Sequence, residues 1–465
     1  MNLFTQIPRN TTMKRQLINK HILPYIFLIA FTLGQTACDS FLDVKPRESV
    51  SDDATIVDKI SAETAIRGVY SALASNGYYG TTFQSIGYLS GDNIQWTGSQ
   101  SQVQEFINHQ VNADNSTISG AWVAIYNTIN RANNVIDKVP AVTDPSLTQE
   151  LKNKIVGEAY FIRALAYFDL ARTFGGVPII TKPTITPADN RGIPRSSVEE
   201  TYAQVISDLE TAEPLLLQTT DRYRATQKTV WALRARYHLY RGEWQQAEAY
   251  ADKLISDTNY KLLKPFNAFF ADNARGTEES IFEVFYNGTT EVNAHRNQWQ
   301  PQANGGTRQW APNAALVALL SDPSTAGNRA PLIAQDNQNR WYGNLYYRTP
   351  ASDPTYVIRI AELYLIRAEA RAQQGKLEEA ISDLNAVRDR AGLAPIEVST
   401  QDVILLAIEN ERRLEFALEP HRWFDLVRTG RAATVLNVTD PNRYVLPIPV
   451  DQLLADDALE QNPGY

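Results

Sequence analysis

The chain has 465 residues, with 44 Lys and Arg against 52 Asp and Glu, giving a formal net charge of −8. That acidic balance argues against nucleic acid, whose phosphates reward basic patches, and against electrostatic docking on anionic lipid. A single cysteine, Cys38, excludes an internal disulfide and any multi-cysteine zinc site.

Lys14, Arg15 and Lys20 precede an almost wholly apolar run from Ile22 to Leu33, and the small residues Thr36 and Ala37 lead into Cys38. A basic stretch, an apolar run of about 7–15 residues and a small-residue cleavage point make a secretory signal. The run is shorter than the roughly 20 residues a membrane-spanning helix needs. Cleavage before Cys38 would leave it as the new N-terminus, which is the layout of a bacterial lipoprotein signal. Gln35 stands where such signals usually carry an aliphatic residue, and Met13 gives a more typical signal length than Met1. Residues 1–37 are therefore expected to be a signal peptide, Cys38 the lipidation site and 38–57 a polar tether. Removal of 1–37 takes away Arg9, Lys14, Arg15 and Lys20 and no acid, leaving 40 basic against 52 acidic residues, about −12. No later segment is apolar enough over a sufficient length to span a bilayer. The body is expected to be soluble and to meet the membrane only through Cys38.

From Asp58 to Leu73, Ile60, Ala65, Ile66, Val69 and Tyr70 recur at helical spacing. Residues 75–118 are rich in Gly, Ser, Asn and Gln with scattered aromatics, and read as loops. Helices are predicted over 121–139 and 154–175, the second apolar around most of its circumference and therefore buried. The proline-punctuated stretch after it, through Ser197, reads as a connecting loop.

An internal repeat follows. Residues 233–255 and 366–387 align at an offset of 133, matching Arg234 with Arg367, Gly242 with Gly375, Trp244 with Leu377 and Ala247 with Ala380. Each unit reads as a helix, a glycine that ends it and a second helix, resembling the tetratricopeptide repeat. Such a unit cannot bury its apolar stripe alone, so further helix pairs must stack on it; 154–175 with 198–217 is the expected third pair. Between the repeats, 280–286 reads as a short strand, and about seventy residues after it, to Tyr356, show little periodicity. Near the C-terminus a helix is expected to end around Glu419 and Pro420 and another to start at His421. Residues 444–453 and 461–465 read as extended. The pattern predicts a mainly all-α fold, a tetratricopeptide-like helix-pair scaffold with an irregular loop-rich part and a few short strands.

The lipoprotein-like start "CDSFLD", the helix "GEAYFIRALAYFDLARTFGGVPI", the repeat "AELYLIRAEARAQQGKLEEAISDLNAVRDRAGL", the segment "ERRLEFALEPHRWFDLVRTG" and the ending "LPIP…QNPGY" together resemble the SusD/RagB family over nearly the whole mature chain. That resemblance implies an outer-membrane lipoprotein facing the cell exterior. It further implies binding of oligosaccharide or a similar nutrient and pairing with a SusC-like TonB-dependent transporter. It also implies one SusD-like domain over 58–465, with scaffold at about 121–260 and 356–431 and loop-rich ligand-binding parts at about 75–118 and 286–355.

Nothing in the sequence demands chemistry. The histidines show no metal-ligand spacing, no nucleophile elbow appears, and no cofactor is implied. A protein-interaction scaffold and an all-α glycosidase are the alternatives. In "EPHRWFDL", His421, Arg422 and Asp425 are expected to fix a helix start while Trp423 and Phe424 pack. Arg234 and Arg367 are expected to pair with acids or carbonyls, and Trp231 and Trp244 to be core. A sugar needs aromatic platforms for its C–H faces and planar polar groups for its hydroxyls. Two segments outside the scaffold offer both. One carries Asp92, Asn93, Gln95 and Trp96; the other carries Trp299, Gln300, Arg308, Trp310, Trp341, Tyr342 and Arg348. The two are expected to converge on one exposed aromatic patch.

Overall fold

The computed structural model describes residues 55–186 and 188–465. The signal peptide, Cys38 and all of the tether but its last three residues lie outside the described residues. Among the described residues no helix is long and apolar enough to cross a membrane.

The first helix, α1 (Lys59–Leu73), starts where Asp58 and Ser61 exchange side-chain and backbone hydrogen bonds in a capping box. Three further helices follow before the scaffold proper: α2 (Thr82–Leu89), α3 (Ser101–Ile107) and α4 (Ser116–Lys138). The region read as loops therefore contains two helices, a π-turn at Asn76–Gly80 and a strand. Gly87 explains part of the misreading. A Cβ there would come within 2.5 Å of both the Cβ and the carbonyl of Pro420, so the helix carries glycine to let the chain at 420 approach.

α5 (Gln149–Phe174) is the buried helix expected, and it pairs with α6 (Val198–Leu215) as the third helix pair. Several of its buried polar residues are paired internally. Arg163 forms a bidentate pair with Asp208 at 2.8 and 2.7 Å, and Asp169 binds Arg172 and the hydroxyls of Tyr78 and Tyr79. The repeat units are α7 (Gln227–Tyr240) with α8 (Trp244–Ile255), and later α11 (Ile360–Gln373) with α12 (Leu377–Arg390). Gly242 and Gly375 take φ of 68° and 76° in the two turns, the left-handed conformation the short connection requires. Arg234 pairs with Glu213 at 2.7 Å, and Arg367 pairs with Asp383 and Asp252, both at 2.6 Å. α11 also packs on α8 and on α13 (Gln401–Glu415). Trp231 is buried as expected, and Trp244 is half-buried.

Between the two repeats lie α9 (His295–Trp299), α10 (Ala314–Ser321) and six short strands shared with the early region. The strands form three antiparallel pairs: β1 (Ile94–Trp96) with β3 (Trp310–Pro312), β2 (Ser280–Val284) with β6 (Thr355–Arg359), and β4 (Ile333–Gln335) with β5 (Trp341–Gly343). The β2–β6 pair closes residues 285–354 into one excursion.

The C-terminal helix α13 ends at Glu415, four residues before the expected stop. Residues 416–421 form turns, and α14 (Arg422–Arg428) begins after His421. Glu419 is drawn out of the helix to bind Arg359 at 2.6 Å. Trp423 and Phe424 are buried. Residues 450–453, expected to be extended, belong to a short helix, Val450–Ala455. A buried ionic cluster ties these parts together. Arg329, Arg359, Arg388 and Arg390 face Glu279, Glu411, Glu415 and Glu419, four cations to four carboxylates.

Candidate functional site

β1 and β3 bring the two candidate segments together, with Trp96 directly opposite Trp310. Trp96 is half-buried at the centre of a cleft with two hollows. The larger, about 410 Å³, is lined by Trp96, Ser99, Gln100, Gln104, Glu105 and Asn108 among others. The smaller, about 140 Å³, shares Trp96 and Gln100 and adds Thr82, Ser85, Gln298, Gln309 and Trp310. Gly98 lies against the Trp96 ring so closely that a Cβ there would fall 2.2 Å from Cζ2.

The polar lining is built in register. Gln100, Gln104 and Asn108 are four residues apart, so they share one face of α3 and its ends; Gln104 donates to Asn108 at 3.0 Å. Glu105 accepts from the Asn112 backbone N–H and the Asn115 amide, at 3.0 and 2.8 Å. On α9, His295 and Trp299 lie on the core side while Gln298 lines the cleft. Two residues that line the small hollow each carry a buried polar atom with no protein partner, Trp96 Nε1–H and Gln298 Oε1.

Behind the cleft stands an aromatic wall. Tyr88 packs edge-on against Trp299 at 5.5 Å and tilted on Trp310 at 5.5 Å, and His295 stacks on Tyr346 at 4.6 Å. Asn293 gives its amide N–H to the Asp353 carbonyl, so its oxygen faces His295 and accepts from Nδ1–H at 2.8 Å. Burial holds the His295 ring neutral, with its pKa pushed down to about 3. The unfolded ring titrates near 6.5, so the unfolded chain binds the extra proton first and stability is lost as pH falls from about 6.5 toward 3. Denaturation profiles should show that His295→Phe loses less stability than the wild type between pH 7 and 5. Parallel profiles for the two proteins would remove His295 from the account.

The remaining predicted residues divide by place. Trp299, 1% exposed, and Trp310, 4% exposed, are packed core, so the exposed patch expected of all four loop tryptophans is reduced to Trp96 and Trp341, both only part-exposed. The physical reason is a dry contact: the Gly343 backbone presses on the Trp299 ring. Gln300 is buried and donates to the carbonyls of Gly343 and Tyr346. Asp92 pairs with Arg422 at 2.7 Å and Arg413 at 3.2 Å, and Asn93 is buried against Arg413. These contacts pin the start of β1 to α13 and α14, so neither residue lines the cleft. Gln95 turns to the Pro312 carbonyl. Arg348 is buried, donating to the carbonyls of Ala271 and Ala274 and paired with Asp353 at 3.2 Å. Arg308 donates to the Trp341 carbonyl at 2.8 Å; it, Trp341 and the buried Tyr342 line neither hollow. The amide face of α3 and Gln298 escaped the sequence reading, although the spacing of Gln100, Gln104 and Asn108 was visible there.

Two larger cavities lie elsewhere. One of about 750 Å³ lies between α4, the 178–193 loop and residues 452–459, and its wall is mostly apolar. The other, about 690 Å³, lies at the α7–α8 turn beside α11, α13 and α14. Several of its charges already satisfy one another, as in the Arg428–Glu369 and Arg431–Glu409 pairs. Size alone does not choose a site. The cleft at Trp96 joins an aromatic surface to a row of amides, and its walls come from two segments about 200 residues apart.

A helix-pair scaffold holding an aromatic and amide-lined cleft defines a class of binding protein. A family model described as starch-binding associating with outer membrane matches residues 40–239, and one for the SusD family matches 342–440. The chain belongs to the SusD/RagB family. It is 28% identical to the SusD-like protein P38 of Formosa agariphila over 94% of this chain and 98% of that one. It is 22% identical to the starch-binding protein SusD of Bacteroides thetaiotaomicron, over 96% and 99% of the two chains. A laminarin binding SusD-like protein of known structure superposes with a TM-score of 0.78 at 26% identity, covering 88% of this chain and all of that one.

Proposed function

We propose that the protein is a cell-surface lipoprotein of the outer membrane, anchored through Cys38. In this reading residues 1–37 are the signal, 38–57 the tether and 58–465 one binding domain. The domain holds an oligosaccharide in the Trp96 cleft and delivers it to a SusC-like TonB-dependent transporter. The observation that carries the binding step is the cleft in which Trp96, held opposite Trp310 by the β1–β3 pairing, shares a hollow with the amide face of α3. Relatives named for starch and laminarin binding support the choice of ligand, and family membership supports the transporter step. The protein binds without cleaving. Glycosidic cleavage commonly needs two carboxylates flanking the bond, whereas the one carboxylate lining the cleft, Glu105, is held by Asn112 and Asn115.

Replacing Trp96 by alanine should remove about 2 kcal/mol or more of binding, an order of magnitude or more in affinity, because aromatic anchors dominate such sites. Gel retardation on polysaccharides, with melting followed in parallel, checks this. Unchanged affinity in a folded Trp96→Ala protein would place the site elsewhere.

Cys38→Ser should move the protein from the membrane fraction to the soluble fraction with its fold intact, since acyl chains contribute roughly 0.8 kcal/mol per buried methylene to anchoring. Metabolic labelling with a fatty acid is the direct measurement. A wild-type protein that takes up no label would end the lipoprotein reading.

A further inference from the structure

The cleft restricts the ligand by charge as well as by shape. Neither hollow is lined by a Lys, Arg or His. The side chains that do line them are amides, hydroxyls, apolar groups and the single carboxylate of Glu105. The cations carried by the surrounding segments are committed to other groups. Arg308 binds the Trp341 carbonyl, Arg296 the carbonyl of Tyr347 and the Thr349 hydroxyl, and Arg413 and Arg422 bind Asp92. His109, next in sequence to the lining residue Asn108, turns to stack on Trp423 at 5.2 Å.

We infer that the Trp96 cleft selects an uncharged, hydroxyl-rich glycan and rejects chains bearing uronate or sulfate groups. The inference rests on the glycan-binding reading above and adds to it the chemical class of the sugar. An anionic group entering the cleft would leave water without meeting a cation and would approach Glu105, and burying an unpaired charge is strongly unfavourable. The polar groups that line the two hollows are amides and hydroxyls, which pair with sugar hydroxyls as donors and as acceptors and bring no positive charge to an anion. The net negative charge of the chain adds a repulsive field for a polyanion at longer range.

The test uses the full-length lipoprotein in detergent and isothermal calorimetry against two sets of polysaccharide. Laminarin, soluble starch and xylan are the neutral probes; alginate, polygalacturonate and a sulfated galactan are the acidic ones. The expected result is binding within the neutral set alone, with little change in affinity between low and high salt, because no ion pair is there to be screened. Trp96→Phe keeps a ring but offers a smaller platform, so affinity for the neutral set should fall by up to about tenfold. An acidic polysaccharide that binds as tightly, and is lost in Trp96→Ala, overturns the inference and leaves the glycan-binding reading standing. Neutral binding that is indifferent to both Trp96 variants overturns it by moving the site. Failure of every polysaccharide to bind overturns the glycan reading along with it.

Discussion

Glu415→Ala should cost about 3–5 kcal/mol of folding stability, the penalty for breaking a buried ionic cluster from one side. Glu415 is 1% exposed. It accepts from Arg329 at 3.0 and 2.8 Å, from Arg359 at 2.9 Å and also from Arg390. Burial alone would raise its pKa, but the three guanidinium groups outweigh burial and hold it below the usual carboxylate range. Truncation leaves those cations short of a counter-charge in a site water does not reach. The folded-state pKa is lower than the unfolded one, so the carboxylate contributes its full stability above the ordinary glutamate range and loses it as pH falls below that range. Urea denaturation at pH 7 should therefore show a large drop in midpoint for Glu415→Ala. The gap between wild type and variant should close on acidification toward pH 3. Equal midpoints at pH 7 would mean that the cluster contributes nothing net.

Trp299→Ala should cost roughly 3–5 kcal/mol through the cavity it leaves, while its effect on ligand stays small in protein that is still folded. The ring is enclosed by Tyr88, Trp310 and the Gly343 backbone and reaches neither hollow of the cleft. Calorimetry of melting and glycan titration well below the variant's midpoint separate the two effects. A Trp299→Ala protein that melts normally but fails to bind would return Trp299 to the ligand site beside Trp96.

Those two residues also mark what could be read without coordinates. The paired helices were legible because Gly242 and Gly375 each separate two stretches of helical periodicity, and because α5 has an apolar circumference. Helical periodicity is a local signal, and residues three and four apart carry it. The cleft was half legible. The aromatic composition of both segments singled them out, and Trp96 lines the cleft between them. Which of four tryptophans would face outward was not legible, since that depends on β1 meeting β3 across 213 intervening residues. The ionic cluster was invisible for the same reason. Arg359 and Glu415 are 56 positions apart, and each alone looks like an ordinary surface charge. The partners of Arg348 and Asp92 were hidden on similar grounds, because a charged residue in an irregular segment gives no local sign of a distant partner.

The pairing of β2 with β6 also bears on how such a protein can change. Residues 285–354 leave and re-enter the scaffold through two adjacent hydrogen-bonded strands, so the excursion is a cassette with fixed terminals. Lengthening a closed loop adds entropy only logarithmically, about 0.6 kcal/mol per doubling. Insertions or deletions within the cassette would leave the helix pairs outside it in place wherever they spare Arg329, which ties the segment to Glu411 and Glu415 of α13. Descendants of one ancestral scaffold could thus diversify one wall of the cleft, the part built from α9 and β3, while the opposite wall on α3 stays constant as a common floor for new sugars.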